Sequence, residues 1–540
     1  MSAVLFSFPE LSPSAEPEFV DRATCRAWLE HVPLANLGAA QQQITAQLEV
    51  LNRFPTAAAN RLAMLETVRE AVNFVQIEQA KRFTNRAQPL APAEAAVFHT
   101  TLALWDAIRL GYQRCLEAAV NRDPTVRAQA ALVCQRVLAY TGLKMFHHHR
   151  AYRELPAREW AFLHAAYAQA EALEVAEEPV KDLLNRDVHD TSPRIAYARA
   201  VLMGTANPHE LAQRQLTFVA FLLERWASKL EVSKAPVSEE GVAPLVVDLG
   251  GERPPERTEP PAAAEASRLR YLDARKLAKS LKNRIALLRK GESPASLALG
   301  EDCVQPSCEQ LLIFLFRQWC QAKPARAVER RRAPTRAQMC VEITGAHYFI
   351  SGQAFRPPGG SSELSRKQRE EIATFGRVSH RHDEAYVTSH GFALETWEIE
   401  EESAQGLRML RNEAGRRLAH GQLLAVRPAD TRNFVLGQVR WLLSGEGGTL
   451  EAGVRLLPGL PAPTAARPTG LNTQNEKWVP AISLTAVGAL NAPPALVLPA
   501  GWFKPRRVIE VFVENTVRVR LTEVLERGTD FERVAYELID

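Results

Sequence analysis

The apolar residues of this 540-residue chain repeat every three to four positions up to about Pro324 and every two positions beyond it. No single packing pattern serves both halves, so the chain must divide into a helical part and a β part. From about Arg22 to Leu230 it is rich in Ala, Leu, Gln, Glu and Arg, which are good helix formers. Leu62, Leu65, Val68, Val72 and Val75 share one helical stripe, Ala130, Val133, Cys134 and Val137 a second, and Val219, Leu222, Trp226 and Leu230 a third. Each stripe needs a covering surface, which predicts an all-α helical array over residues 1–232. Asp123-Pro124 and Asn207-Pro208 read as helix starts, a capping side chain followed by proline at the first helical position. We find no fixed-period repeat of a solenoid.

Residues 233–262 hold six prolines with glycine and mixed charge and read as a linker. A helical segment over 263–323 follows, with a charged helix to about Lys290 and a second beginning at Ser307, where Gln310 offers a capping box. Past Pro324, Val435 to Leu442 and Val517 to Leu521 alternate as half-buried strands. Ser444 to Gly448 and Glu514-Asn515-Thr516 supply turns. This predicts a small β-barrel over 324–462 with an insertion near 356–392, and a second C-terminal β module over 471–540, separated by the connector LPGLPAPTAARPTG.

Sixty-six basic residues against sixty-two acidic ones leave a net charge of +4, which disfavours bulk attraction to nucleic acid or anionic lipid. The seven cysteines include no CxxC pair and read as buried thiols in a reducing compartment. The start MSAVLFSFPEL is not a secretion signal and no stretch is apolar enough to span a membrane, so a cytoplasmic location is expected. P-loop, nucleophile-elbow, HExxH and dinucleotide patterns are absent; we expect no enzyme, no catalytic residue and no cofactor. His147-His148-His149 reads as a solvated helix end, and His380, His382, Asp383 and His390 as polar loop residues, with no metal site. Glu370 and Glu371 lie on a charged helical stretch.

One region concentrates anion-binding chemistry. Lys323, Arg326, Arg330, Arg331, Arg332 and Arg336 surround the lone Glu329 where helix gives way to strand. Guanidinium forks four residues apart can converge on phosphate oxygens, and their flat faces can stack on purines. Downstream, Glu401-Glu402-Ser403-Ala404-Gln405-Gly406 forms a polar turn between two strands. There an acidic side chain can accept from a guanine edge, Ser403 can bond a phosphate or the turn backbone, and Gly406 permits close approach.

Together these segments resemble the PilZ family of cyclic di-GMP receptors, which pairs Arg-x-x-x-Arg with a later Asp/Asn-x-Ser-x-x-Gly turn. Arg332-Ala-Pro-Thr-Arg336, preceded by Arg331, is similar to the first motif, and Glu401 to Gly406 to the second. Gly437 to Trp441 and Ala452 to Leu456 resemble the family's later strands. The resemblance implies a six-stranded barrel that binds cyclic di-GMP through Arg331, Arg332, Arg336, Glu401, Ser403 and Gly406. It further implies a regulatory protein whose helical half carries the output to a protein partner. Glu401 replaces the family's Asp or Asn, which leaves open a degenerate interaction scaffold without ligand binding. RNA stacked on Trp397 or Trp441 is a third reading, disfavoured by the net charge.

Overall fold

A computed structural model describes residues 7–236, 245–257, 266–300, 303–321, 331–359, 392–469 and 476–539. The chain forms two compact units that meet in sequence at 325/326, with residues 87–89 grouping with the second.

The first unit is an array of helices, the longest being Leu37–Arg53, Ala58–Ala80, Pro92–Val120, Ala130–Arg150 and Ala157–Ala172. The stripes expected from the sequence are its core: Leu62, Leu65, Val68, Val72, Val75, Val133, Val137, Leu222 and Trp226 are all buried. Several charged groups inside this core are paired. Glu159, wholly buried, takes Arg109 and Lys144 at 2.7 Å each. Arg69 meets Asp182 at 2.7 Å, and Arg136 meets Glu66 at 2.9 Å. Such pairs offset their desolvation only when both partners stay in place, so they select one alignment of neighbouring helices.

Several local expectations are corrected. Asp123 caps as read, its side chain accepting from Thr125 N, but Pro124–Arg127 is a single turn before the long helix at Ala130. Asn207-Pro208 opens only the 3-10 turn Pro208–Glu210, and the next helix starts at Gln213. The helix Ser307–Cys320 begins where expected but has no side-chain cap at its start. Pro324 lies outside the described residues. His147, His148 and His149 are buried, not a solvated end. His147 packs on Phe83 and Trp105, His148 on Phe98, and His149 on His209, because neighbouring elements cover the helix on several sides. Burial holds all three imidazoles below their ordinary range.

Within the stretch read as a linker, the proline-free Leu245–Asp248 is a strand, and Leu269–Asp273, read as helix, is another. With Glu231–Ser233 they make a three-stranded antiparallel sheet in which Leu269–Asp273 is central and buried throughout. The charged helix starts after it, at Arg275. Cys303 and Cys308 are joined in a disulfide with Cα atoms 5.0 Å apart, so not all seven cysteines are free. Cys25, Cys115, Cys134, Cys320 and Cys340 are buried thiols.

The second unit holds two closed six-stranded barrels. The first comprises β1 (Arg331–Val341), β2 (Glu395–Ser403), β3 (Gly406–Arg411), β4 (Leu423–Pro428), β5 (Val435–Ser444) and β6 (Leu450–Leu456). Its order is β5-β6-β3-β2-β1-β4, closing onto β5, with every neighbouring pair antiparallel. The second comprises β7 (Pro461–Pro468), β8 (Val479–Leu484), β9 (Ala495–Pro499), β10 (Val508–Phe512), β11 (Thr516–Arg527) and β12 (Phe531–Ile539), in the order β7-β8-β9-β12-β11-β10. The chain expected to connect the two domains is therefore mostly β7. Its prolines are tolerated because Pro461 and Pro463 pair only with β8 and Pro468 only with β10, so each sits where the strand has one neighbour.

The helix Ile343–Ser351, between β1 and β2, was not foreseen from the sequence. It contributes Ile343 and Ala346 to a core shared by Leu423, Ala425 and Leu436 of the first barrel and Ile482, Leu484, Val497 and Phe531 of the second. Polar ties flank this core at the β11–β12 hairpin. Thr529 N donates to Gly421 O at 3.0 Å, and Gln438 Nε2 donates to Arg527 O at 3.0 Å. The insertion expected near 356–392 falls mostly outside the described residues, as do Glu370, Glu371, His380, His382, Asp383 and His390.

Candidate functional site

The β1–β2 register decides which parts of the two motifs meet. Arg331 pairs with Glu402 and Arg332 with Glu401, whereas Arg336 pairs with Glu398. A register shift between Arg332 and Thr335 absorbs Ala333-Pro334. Pro334 has no N–H to give to a regular ladder, and a bulge removes that demand. Arg331, Arg332 and Arg336 are all exposed. Arg336 thus stands about 15 Å along the strand from the row of Ser403, while Arg331 and Arg332 stand beside the hairpin. Lys323, Arg326 and Arg330 lie outside the described residues.

The β2–β3 hairpin turns on Ala404 and Gln405, with Ser403 paired to Gly406. Ser403 Oγ donates to Gly406 O at 3.2 Å and accepts from Gln405 N at 3.4 Å, closing the turn. Glycine is required at 406 by space: a Cβ there would lie 2.6 Å from Val454 O on β6. The same strand edge carries Leu456 N to Gln405 O at 2.9 Å.

Sequence reading missed Arg408. A register shift between Ile399 and Glu401 puts Glu400 and Glu401 within reach of the same side chain. Arg408 meets Glu400 at 3.0 Å, Glu401 at 3.7 Å and Glu451 of β6 at 2.9 Å. Burial works against its charge, but Glu451, Glu400 and Glu401 outweigh it and raise the pKa. The alternating pattern of β3 is visible in the sequence, yet only the barrel register brings three carboxylates to one guanidinium. Trp397, one of two aromatic platforms considered for RNA, is buried with Arg411 5.1 Å over its ring. It therefore cannot offer a face to a base. No cluster of three or more metal-ligating side chains occurs among the described residues.

A closed six-stranded barrel carrying this hairpin, with an arginine segment on the adjacent strand, defines a PilZ-domain protein. Three consecutive family models match the chain: the N-terminal domain of the cyclic-di-GMP receptor FimW over 22–237, its middle PilZ domain over 245–414 and its C-terminal β-barrel domain over 464–539. The chain thus carries a PilZ domain between a helical domain and a second β-barrel domain that match the same family's models. It is similar to the cyclic-di-GMP receptor FimW of Pseudomonas aeruginosa, 23% identical over 515 residues that cover 87% of this chain and 83% of the relative. The middle match ends at 414, although the first barrel runs on to Leu456. Among the described residues no helix is long and apolar enough to cross a membrane.

Proposed function

We propose that this protein is a cyclic di-GMP-binding regulatory receptor, with the ligand seated on the outer face of β1, β2 and β3. The observation that carries this reading is the register that sets Arg332 opposite Glu401, two residues from the Ser403–Gly406 turn. Arg332 clamps phosphate oxygens and stacks on guanine, Arg336 closes over the ligand from farther along β1, and Arg331 adds positive charge at the start of the strand. Glu401, Ser403 and Gly406 form the opposite wall, where Glu401 accepts from a guanine edge. The work is binding rather than catalysis: a doubly negative ligand orders the arginine segment, and that ordering biases how the rest of the chain engages a partner. We place the protein in the cytoplasm and its output partner, a protein, on the helical region.

Removing one arginine should weaken binding by about 1.5–3 kcal/mol where its charged hydrogen bonds are made. Calorimetric titration of the full chain with cyclic di-GMP, comparing wild type with Arg332→Ala and Arg336→Ala, tests this. Unchanged affinity in both variants would reject the assignment.

A second reading has one observation in its favour. Glu398, Glu400, Glu401, Glu402 and Glu451 surround the arginines, and Arg408 is already paired with three of them. A face so neutralised suits a scaffold that contacts proteins and no nucleotide. Absence of heat and of any thermal shift at high micromolar cyclic di-GMP would favour the scaffold.

A further inference from the structure

Across the first barrel, β2, β3, β6 and β5 place Ser403, Gly406, Arg455 and Gln438 in one transverse row, each the register partner of the next. Cross-strand partners share a face, and neighbouring strands lie about 4.8 Å apart. Arg455 is therefore one strand beyond Gly406 and about 10 Å from Ser403. Gly406 lacks a side chain, so nothing on β3 stands between the turn and Arg455 in this row. The Arg455 side chain is 55% exposed.

The far end of the row is the second barrel. Arg455 Nη2 lies 3.4 Å from Glu526 Oε1 on β11, whose side chain is only 9% exposed. Glu526 in turn meets Arg533 of β12 at 3.7 Å, also buried. Glu526 Oε2 and Arg533 Nε and Nη2 have no hydrogen-bond partner, so this junction is held by charge with its hydrogen bonding incomplete. Arg455 is the exposed member of the trio, so its departure leaves the buried Glu526–Arg533 pair in place.

We propose that Arg455 is a further ligand-contact residue, and that a cyclic dinucleotide on the Ser403–Gly406 row competes with Glu526 for its guanidinium. This rests on the proposed ligand site. The dianion draws Arg455 toward the row and leaves Glu526 with Arg533 alone. That loosens the β11–β12 hairpin, which also carries the Thr529 and Gln438 ties between the barrels. Coupling is reciprocal: whatever strengthens the Arg455–Glu526 pair weakens binding.

The test is calorimetric titration of the full chain with cyclic di-GMP, with far-ultraviolet circular dichroism of each variant to establish folding. Arg455→Gln should bind about tenfold more weakly, a loss of ~1.4 kcal/mol. Glu526→Gln, which frees the arginine and keeps the side-chain shape, should bind several-fold more tightly, and the double variant should behave like Arg455→Gln. Hydrogen exchange over 524–533 should rise with ligand in wild type and not in Arg455→Gln. A weakened Arg455→Gln with unaltered Glu526→Gln rejects the exchange. Normal affinity in both variants, with Arg332→Ala impaired, overturns this inference and spares the site. No heat with wild type overturns both.

Discussion

Asp530 Oδ1 accepts from Leu423 N at 2.9 Å, joining the β11–β12 hairpin of the second barrel to the first residue of β4 in the first. Its other oxygen, Oδ2, is buried without a partner. Burial, opposed by the Leu423 N–H and assisted by Glu342, raises the carboxyl to about 6. A raised folded-state pKa means that the native state holds a proton which the unfolded chain releases near the ordinary value of 3.8. The stabilisation is complete below about pH 4 and disappears as pH rises through about 6, a swing of roughly 1–3 kcal/mol. Asp530→Asn keeps an acceptor for Leu423 N and cannot ionise. It should melt higher than wild type at pH 7.5, with the gap closing near pH 4.5. A gap that stays constant with pH would assign the junction's strength elsewhere.

Gly406→Ala should disrupt the hairpin, because the added methyl would meet the Val454 carbonyl at 2.6 Å. Backbone on both sides limits relaxation, so the expected loss is about 1–3 kcal/mol of stability, with weaker binding of cyclic di-GMP. Chemical denaturation and titration of the same sample read both effects, and a variant equal to wild type in both would contradict the close β3–β6 contact.

Arg408→Ala removes the cation that Glu400, Glu401 and Glu451 share, and so makes the face assigned to a dianion more negative. Arg408 is about one-third exposed, so stability should change by no more than about 1 kcal/mol. Affinity for cyclic di-GMP should fall, and added salt should narrow the difference by screening the carboxylates. Unaltered affinity at low salt would show that these carboxylates do not face the ligand.

In the helical unit, Glu159→Gln removes a charge that two buried cations share. Burial pushes the Glu159 carboxyl up, but Arg109 and Lys144 outweigh it and hold it below its ordinary value. The glutamine leaves both cations short of a partner and should cost about 3–5 kcal/mol. The melting transition of the helical unit is the readout; a shift too small to measure would mean that Asp106, which also pairs with both cations, suffices alone.

The helical stripes were legible because an amphipathic helix repeats its apolar residues within a few positions, so Leu62 to Val75 declare a buried face without reference to any partner. Arg332 and Ser403 were legible as types for the same local reason: a short motif carries its own chemistry. Arg408 and Arg455 were not, since each looks like an ordinary outward-facing strand arginine until its cross-strand neighbours are known. The proline-bearing β7 and the three buried histidines mislead in the same way, as prolines suit an edge segment and imidazoles a core only when the surrounding elements allow it.

The residue order by itself determined the division into a helical and a β half, the faces that must be buried, and the presence of an arginine segment and a glycine-tipped turn. The tertiary structure decided that Arg332 rather than Arg336 stands opposite Glu401, that Glu400, Glu401 and Glu451 converge on Arg408, and that the β11–β12 hairpin reaches the row of the turn. The physical reason is that strand register and barrel closure join residues far apart in sequence. One bulge more or less would turn each of these side chains to a different neighbour.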